Sequence, residues 1–224
     1  MAVETTDLTE LSRAAAELEH APPVDIVRWA HARFGEKLVV TASFGDAVLA
    51  HVASTAVPGI EIVLLDTQYL HAETLWFADE LRRSLDMNLR VVRPAEDVQP
   101  DNLWALDTDA CCAVRKVEPL NRVLADRDAW VSGVRRADSA LRVATPVVTF
   151  DIGRGVVKVN PLATLTDDDI ELYQQLHDLP RNPLTDRGYP SIGCWPCTRP
   201  VAAGDDPRSG RWAGSAKTEC GLHA

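Results

Sequence analysis

Short apolar runs set the strongest limit on how this chain can fold. KLVVT, IEIVLLDT, LRVVRP and AWVSGV are too brief for helices, and stretches of helical spacing separate the first three. A continuous apolar run of this length is expected of a strand buried on both faces. Strands alternating with helices predict a mainly parallel twisted sheet flanked by helices, the α/β class.

The helical stretches carry their own marks. Pro22 and Pro23 open an apolar-periodic segment that ends near Phe34, and a preceding helix is expected from about Leu8 to Glu19. HAETLWFADELRRSLD has helical spacing at Leu75, Ala78, Leu81 and Leu85. In TLTDDDIELYQQLHD, Thr166 reads as an N-cap with Asp169 as its reciprocal partner, so Asp167, Asp168 and Asp169 complement the positive helix end and do not suggest a metal site. From Asn182 to Gly214 the chain is rich in Gly, Pro and Arg without periodicity, and an irregular stretch of roughly thirty residues is usually functional or disordered.

Composition narrows the partners. With 46% apolar and 25% charged residues the 224-residue chain suits a globular domain, and a net charge of −10 argues against a broad grip on nucleic acid. A small anion held by a local cluster of bases remains open. The first twenty residues carry acids and no apolar run, which predicts neither signal peptide nor membrane span and a cytoplasmic protein. Reducing conditions there disfavour structural disulfides, so the five cysteines call for metal ligation, catalysis or inert burial.

The cysteines fall into a pattern. Cys111 and Cys112 are adjacent in DACCAVRK, and Cys194 and Cys197 form a C-x-x-C loop in SIGCWPCTRP. Two close sets of thiolates suit a metal centre. Adjacent side chains reach one small zinc ion only with strain, whereas a four-iron cluster offers a separate iron to each; the spacing favours [4Fe–4S] over zinc. A redox dithiol at C-x-x-C is the alternative, and it leaves Cys111 and Cys112 unexplained.

Other segments suggest anion binding. In VVTASFGDAVLAHV, backbone N–H groups around Gly45 with the Thr41 and Ser43 hydroxyls could hold a phosphate at a helix N-terminus, although strand and glycine-turn pairs are common in α/β proteins. Asp66 and Thr67 follow the second strand, where open parallel sheets bind ligands. GVRRADSALR supplies Arg135, Arg136 and Arg142, and a basic run of Arg199, Arg208, Arg211 and Lys217 leads into Cys220. Arg208 and Arg211 can offer bidentate contacts to an anion.

Together these segments resemble the assimilatory sulfonucleotide reductases, most closely the iron–sulfur adenylyl-sulfate (APS) reductases. The resemblance runs from about Val39 to His223 and rests on CC with GCWPCT, GVRRADSALR, VKVNPLA, NPLTDRGYPSIG, DPRSGRW and KTECGLH. It implies an adenine-nucleotide alpha-hydrolase-like fold related to ATP pyrophosphatases, with the turn containing Ser43, Phe44 and Gly45 as a modified phosphate loop. It assigns Cys111, Cys112, Cys194 and Cys197 to a [4Fe–4S] cluster and Cys220 to nucleophilic attack. Lys116, Arg208, Arg211 and His223 go to the sulfate and phosphate end of the substrate; Asp66, Thr67, Arg135 and Arg136 are expected to bind substrate from their places after the strands. The Cys112–Lys116 spacing of four places the lysine on the cysteine's helical face, with Pro119 limiting that turn. Gln68 stands where the family commonly has glycine, and SFGDA is a variant of its loop.

The expectation is one domain over 1–224: a helical cover (1–36), a nucleotide-binding core (37–181), and a Cys/Arg-rich segment with the catalytic tail (182–224). As the resemblance implies, Cys220 would attack the sulfur of adenosine 5′-phosphosulfate, AMP would leave, and thioredoxin or glutaredoxin would release sulfite, within sulfate assimilation and cysteine biosynthesis. A terminus is easily mobile unless tied down, which suits a thiol that must meet a small molecule and then a protein. A homo-oligomer is compatible with the chain. The alternatives are a PAPS reductase, which typically lacks the cluster cysteines, an ATP-using sulfur-transfer enzyme, or a non-enzymatic iron–sulfur sensor or electron carrier.

Overall fold

The apolar runs become β1 (Leu38–Thr41), β2 (Glu61–Leu65), β3 (Asn88–Val92) and β4 (Ala129–Ser132) in a computed structural model that describes residues 8–215 and 217–222. A hairpin of β5 (Val148–Asp151) and β6 (Val156–Val159) completes a six-stranded sheet ordered β3-β2-β1-β4-β6-β5. All pairs are parallel except β5 with β6, and the register sets Val40 beside Ile62, Leu65 beside Val92 and Leu38 beside Ala129. The sheet is α/β as expected, with the hairpin as an antiparallel edge.

The described helices are α1 (Leu8–Glu17), α2 (Pro23–Phe34), α3 (Val48–Ala56), α4 (Ala72–Ser84), α5 (Leu103–Leu106), α6 (Thr108–Cys112), α7 (Glu118–Leu124) and α8 (Asp167–Leu176). Strand alternation sorts the core into two faces. Val40, Ile62, Leu64 and Val131 pack with Ile26 and Val27 of α2, Val48 and Val52 of α3 and Phe77 and Leu81 of α4. Val39, Val63 and Trp130 face the other way, against Leu120, Val123 and Leu124 of α7.

Local chemistry accounts for the element ends. Pro23 occupies the first turn of α2, where an N–H has no partner in any case. Thr166 and Asp169 form the reciprocal cap of α8: the Asp169 N–H donates to Thr166 Oγ1 at 3.1 Å and the Thr166 N–H to Asp169 Oδ2 at 2.8 Å. Two expectations need correction. Strand β3 is an edge and not buried on both faces, with Val91 46% exposed and Arg90 paired to Glu61, a charge that guards an open edge. Leu75 is 38% exposed, and Thr74 and Phe77 supply the inner face of α4 with Ala78 and Leu81.

Strand order reverses between β1 and β4, so the loops leaving their carboxyl ends diverge and open a crevice. Those loops are SFGDA and GVRRAD. Among the described residues no helix is long and apolar enough to cross a membrane.

Candidate active site

The cysteines converge at the carboxyl edge of the sheet. Asp107 caps α6 through its side chain, accepting from the Ala110 N–H at 2.9 Å, and α6 carries Cys111 and Cys112 inward. A π turn, Ala113–Val117, follows and passes directly into α7. Pro119 has no N–H to continue the α pattern, and a single wide turn absorbs the mismatch. The regular helical turn expected between Cys112 and Lys116 is therefore a π turn, and Lys116 still stands within electrostatic reach of Cys112.

The second cysteine loop is sewn to the chain leaving β2. Leu70 and Cys194 form an antiparallel bridge, and the Trp195 N–H donates to the Tyr69 carbonyl at 2.8 Å. Thr67 Oγ1 lies 3.2 Å from Cys194 Sγ and accepts the Tyr69 N–H at 3.2 Å. One cavity is then lined by Thr67, Tyr69, Trp104, Cys111, Cys112, Arg115, Lys116, Cys194, Cys197 and Trp212. No disulfide joins these cysteines.

Burial, and then the neighbouring thiolates of Cys112 and Cys194, push Cys111 up to about 11. Cys112 is also raised by burial, although Lys116 and Lys217 oppose it, and Cys197 is raised by burial together with Cys194 and Cys112. Thiols gathered this closely repel one another as thiolates, a repulsion that a bound cation would relieve. Among the described residues no three His, Cys, Asp or Glu side chains converge as a holder for a metal ion. Cys111, Cys112, Cys194 and Cys197 nevertheless line one cavity, which makes them the residues that could hold a metal centre.

Positive charge gathers beside the thiols. Burial pulls Lys116 down, but Cys194, Cys220 and Cys112 outweigh it and hold its pKa above the ordinary lysine value despite Arg211. Burial and the adjacent Arg208 lower Arg211, against the thiols of Cys220, Cys194 and Cys197. Arg211 Nη1 donates to Ser191 Oγ at 3.2 Å and to the Ile192 carbonyl at 3.3 Å, while its buried Nε has no partner among the described residues. Gly193 permits this close fit, since a Cβ there would stand 2.4 Å from Arg211 Nη2. Arg208 donates to the Thr218 carbonyl at 3.3 Å, and Cys220 is half-buried. His223 lies outside the described residues.

The loop after β1 holds Ser43 exposed and Phe44 buried at φ 55, with the Asn182 amide donating to the Phe44 carbonyl at 3.0 Å. Gly45 precedes Asp46, whose carboxylate accepts the Val48 N–H at 2.8 Å as α3 begins. Burial still raises Asp46, with Val48 and Arg135 opposing and Asp138 adding to it. Asp66 is buried and accepts from the Gln68 N–H and Arg93 Nε, both at 2.9 Å.

Two assigned arginines lie apart from the thiols. Arg135 pairs with Asp138 at 3.0 Å and Asp167 at 2.8 Å. Arg136 donates to both Glu19 oxygens, at 2.5 and 2.9 Å, and to the Thr145 carbonyl, which commits its guanidinium to the segment after α1. Sequence reasoning missed Arg115. It is 1% exposed, bonded to Gln68 and the Gln99 carbonyl and set over the Tyr69 ring at 4.7 Å. Its signal was its place four residues after Cys111, the spacing that singled out Lys116 after Cys112.

Residues 37–200 match the phosphoadenosine phosphosulfate reductase domain family. An adenosine 5′-phosphosulfate reductase of Streptomyces coelicolor is 45% identical over 98% of this chain and 96% of its own length. One from Mycobacteroides abscessus is 44% identical over 100% of both chains. Among solved structures, the phosphoadenylyl-sulfate reductase of Candida auris in a phosphate complex aligns with a TM-score of 0.75 at 23% identity, covering 89% of this chain and 99% of that one.

Proposed function

Because the chain belongs to the phosphoadenosine phosphosulfate reductase domain family, we propose that it reduces adenosine 5′-phosphosulfate to sulfite and AMP. One observation carries the reading: Cys220 stands within electrostatic reach of Lys116, Arg211 and Cys112, so a free thiol, a cation cluster and the cysteine cage share one place. The close similarity to proteins named for the APS reaction favours that substrate over its 3′-phosphorylated form.

In the proposed chemistry the Cys220 thiolate attacks the sulfur of the substrate. An S–S bond forms, the bond from sulfur to the phosphate oxygen breaks, and AMP leaves with the electron pair. A dithiol reductant of the thioredoxin or glutaredoxin class then attacks Cys220 Sγ and displaces sulfite, and its second thiol releases Cys220 and keeps the disulfide. The two electrons come from that dithiol.

The anionic substrate must approach an anionic nucleophile. Lys116, Arg208 and Arg211 lower that repulsion and stabilise the departing phosphate, and Arg211 Nε, without a partner among the described residues, supports an anion seat there. The turn at Ser43, Phe44 and Gly45, the carboxyl end of β2 at Asp66 and Thr67, and Arg135 and Arg136 on the loop after β4 would bind the nucleotide part of the substrate, and His223 its anionic end. A [4Fe–4S] cluster held by Cys111, Cys112, Cys194 and Cys197 would neutralise part of the charge on those thiolates, tie α6 to the Cys194 loop and so place Lys116 near the substrate's anionic end.

Mixing the anaerobically purified protein with APS alone should leave a sulfonate on Cys220, read by mass spectrometry of the C-terminal peptide. An unmodified Cys220 beside a modified cage cysteine would sink the mechanism. Iron and sulfide analysis should give about four of each, as a four-iron cluster requires. Competition between APS and PAPS tests the substrate, and ATP turnover to pyrophosphate would overturn it.

A further inference from the structure

The tail, expected from the sequence to be mobile, is tied on both sides of Cys220 in its described part. Glu219, immediately before it, engages Arg142 bidentately: Arg142 Nε donates to Oε1 at 2.8 Å and Nη2 to Oε2 at 2.7 Å. Both side chains are largely withdrawn from solvent, at 12% and 19% exposure, so water screens the pair less than an exposed one. Arg208 approaches the same carboxylate at 3.7 Å. After Cys220, Gly221 turns at φ 76 and Leu222 packs on the face of Val39, Trp130 and Leu120.

The Glu219 anchor continues inward. Arg142 Nη1 donates to Asp138 Oδ2 at 2.7 Å, and Asp138 holds Arg135 at 3.0 Å. Asp46, at the end of the turn after β1, lies in the field of Arg135 and Asp138. Charges of alternating sign thus run from that turn to the residue beside the thiol.

We propose that Glu219 is a positioning residue, whose lock into the Arg142 fork seats Cys220 over the cation cluster. The proposal rests on the reading of Cys220 as nucleophile. Anchored at Glu219 and Leu222, the thiol between them has little freedom, so attack begins from a preset geometry. Lengthening or breaking the lock costs orientation at the transition state while the substrate's own contacts stay in place.

Two measurements test this on the full-length protein. Trypsin cleaves after Lys217 and releases a peptide in which Cys220 is the only cysteine. Iodoacetamide labelling of that peptide, without substrate, should be about 10-fold faster in Glu219→Gln than in the parent. Single-turnover transfer of sulfonate to Cys220 should fall by about 10-fold in the same variant with KM nearly unchanged. Arg142→Lys should match it, Glu219→Asp should fall between, and Glu219→Gln combined with Arg142→Lys should be no worse than either alone.

Unchanged labelling, or fully additive losses in the double variant, overturns the lock. Glu219→Gln removes no core group, so it reports even if Arg142→Lys loosens the loop around Asp138. Sulfonate found on another cysteine would sink the reading of function, while faster labelling of Cys220 would leave the lock standing.

Discussion

The Thr67 hydroxyl oxygen stands 3.2 Å from the Cys194 sulfur and accepts the Tyr69 N–H, so one side chain joins the end of β2 to the second cysteine loop. Thr67 is 1% exposed, and valine matches its shape without its oxygen. Thr67→Val leaves a buried N–H unpaired and should lower stability by about 1–3 kcal/mol in urea unfolding. Thr67→Ser should keep most of it. Equal stability in the valine variant would show that the hydroxyl ties nothing.

Gln68 has φ 68, a conformation that L side chains resist, and its amide oxygen takes a bond from Arg115. A glycine there would adopt this conformation without strain. Gln68→Ala loses the Arg115 bond and keeps the backbone strain, whereas Gln68→Gly loses the bond and relieves the strain. The glycine variant should therefore be the more stable of the two by about 1 kcal/mol. Identical unfolding midpoints would mean that the left-handed backbone costs nothing here.

What the sequence made legible follows from what each element is made of. Strands β1, β2 and β4 announced themselves because both faces are apolar, and Thr166 with Asp169 because capping is local chemistry. The β5–β6 hairpin did not: PVVTFDIGRGVVKV carries Asp151, Arg154 and Lys158, whose place is clear only once Arg154 is seen paired to Asp151 across the turn at 2.8 Å. The cysteines were legible as a set because adjacency and C-x-x-C spacing are sequence properties. Arg115 and Glu219 were not, since a buried arginine and a surface acid look alike until their partners, Gln68 and Arg142, are placed. Arg136 shows the reverse, a motif arginine whose partner, Glu19, is 117 residues away.

Two glycines in the irregular segment should fail differently. At Gly193 an added Cβ would meet the end of the Arg211 side chain, at 2.4 Å, and that group can swing aside. Gly193→Ala should keep its melting temperature within about 2 °C, a change of no more than about 1 kcal/mol, while turnover at low substrate falls about 10-fold because Arg211 is displaced. At Gly210 the Cβ would stand 2.2 Å from the Arg199 carbonyl, which is backbone held by the Thr198–Arg211 bridge and cannot swing. Gly210→Ala should lower the melting temperature and make the segment sensitive to protease. The reverse pattern would show that Arg211 is rigid and the bridge dispensable.

Lys158 gives the protein a pH signature. It is 9% exposed with Nζ 5.0 Å from the Trp130 ring centroid, and burial moves its pKa from 10.5 to about 8. Asp151 and Glu219 act against that shift, and Arg154 and Arg142 act with it. Below pH 8 the lysine is charged in both states and the burial cost is constant. Between about pH 8 and 10.5 the unfolded chain still binds the proton that the folded one has shed, so stability from this group rises with pH. The full rise is at most about 3 kcal/mol, less what Trp130 returns to the charged form. Lys158→Met removes the titration, so it should be the more stable protein at pH 7, and its advantage should shrink steadily from pH 8 to pH 10. Comparing the two by urea unfolding cancels the other groups that titrate in this window. An advantage that does not change with pH would mean that Lys158 keeps its proton as firmly in the folded chain as in the unfolded one.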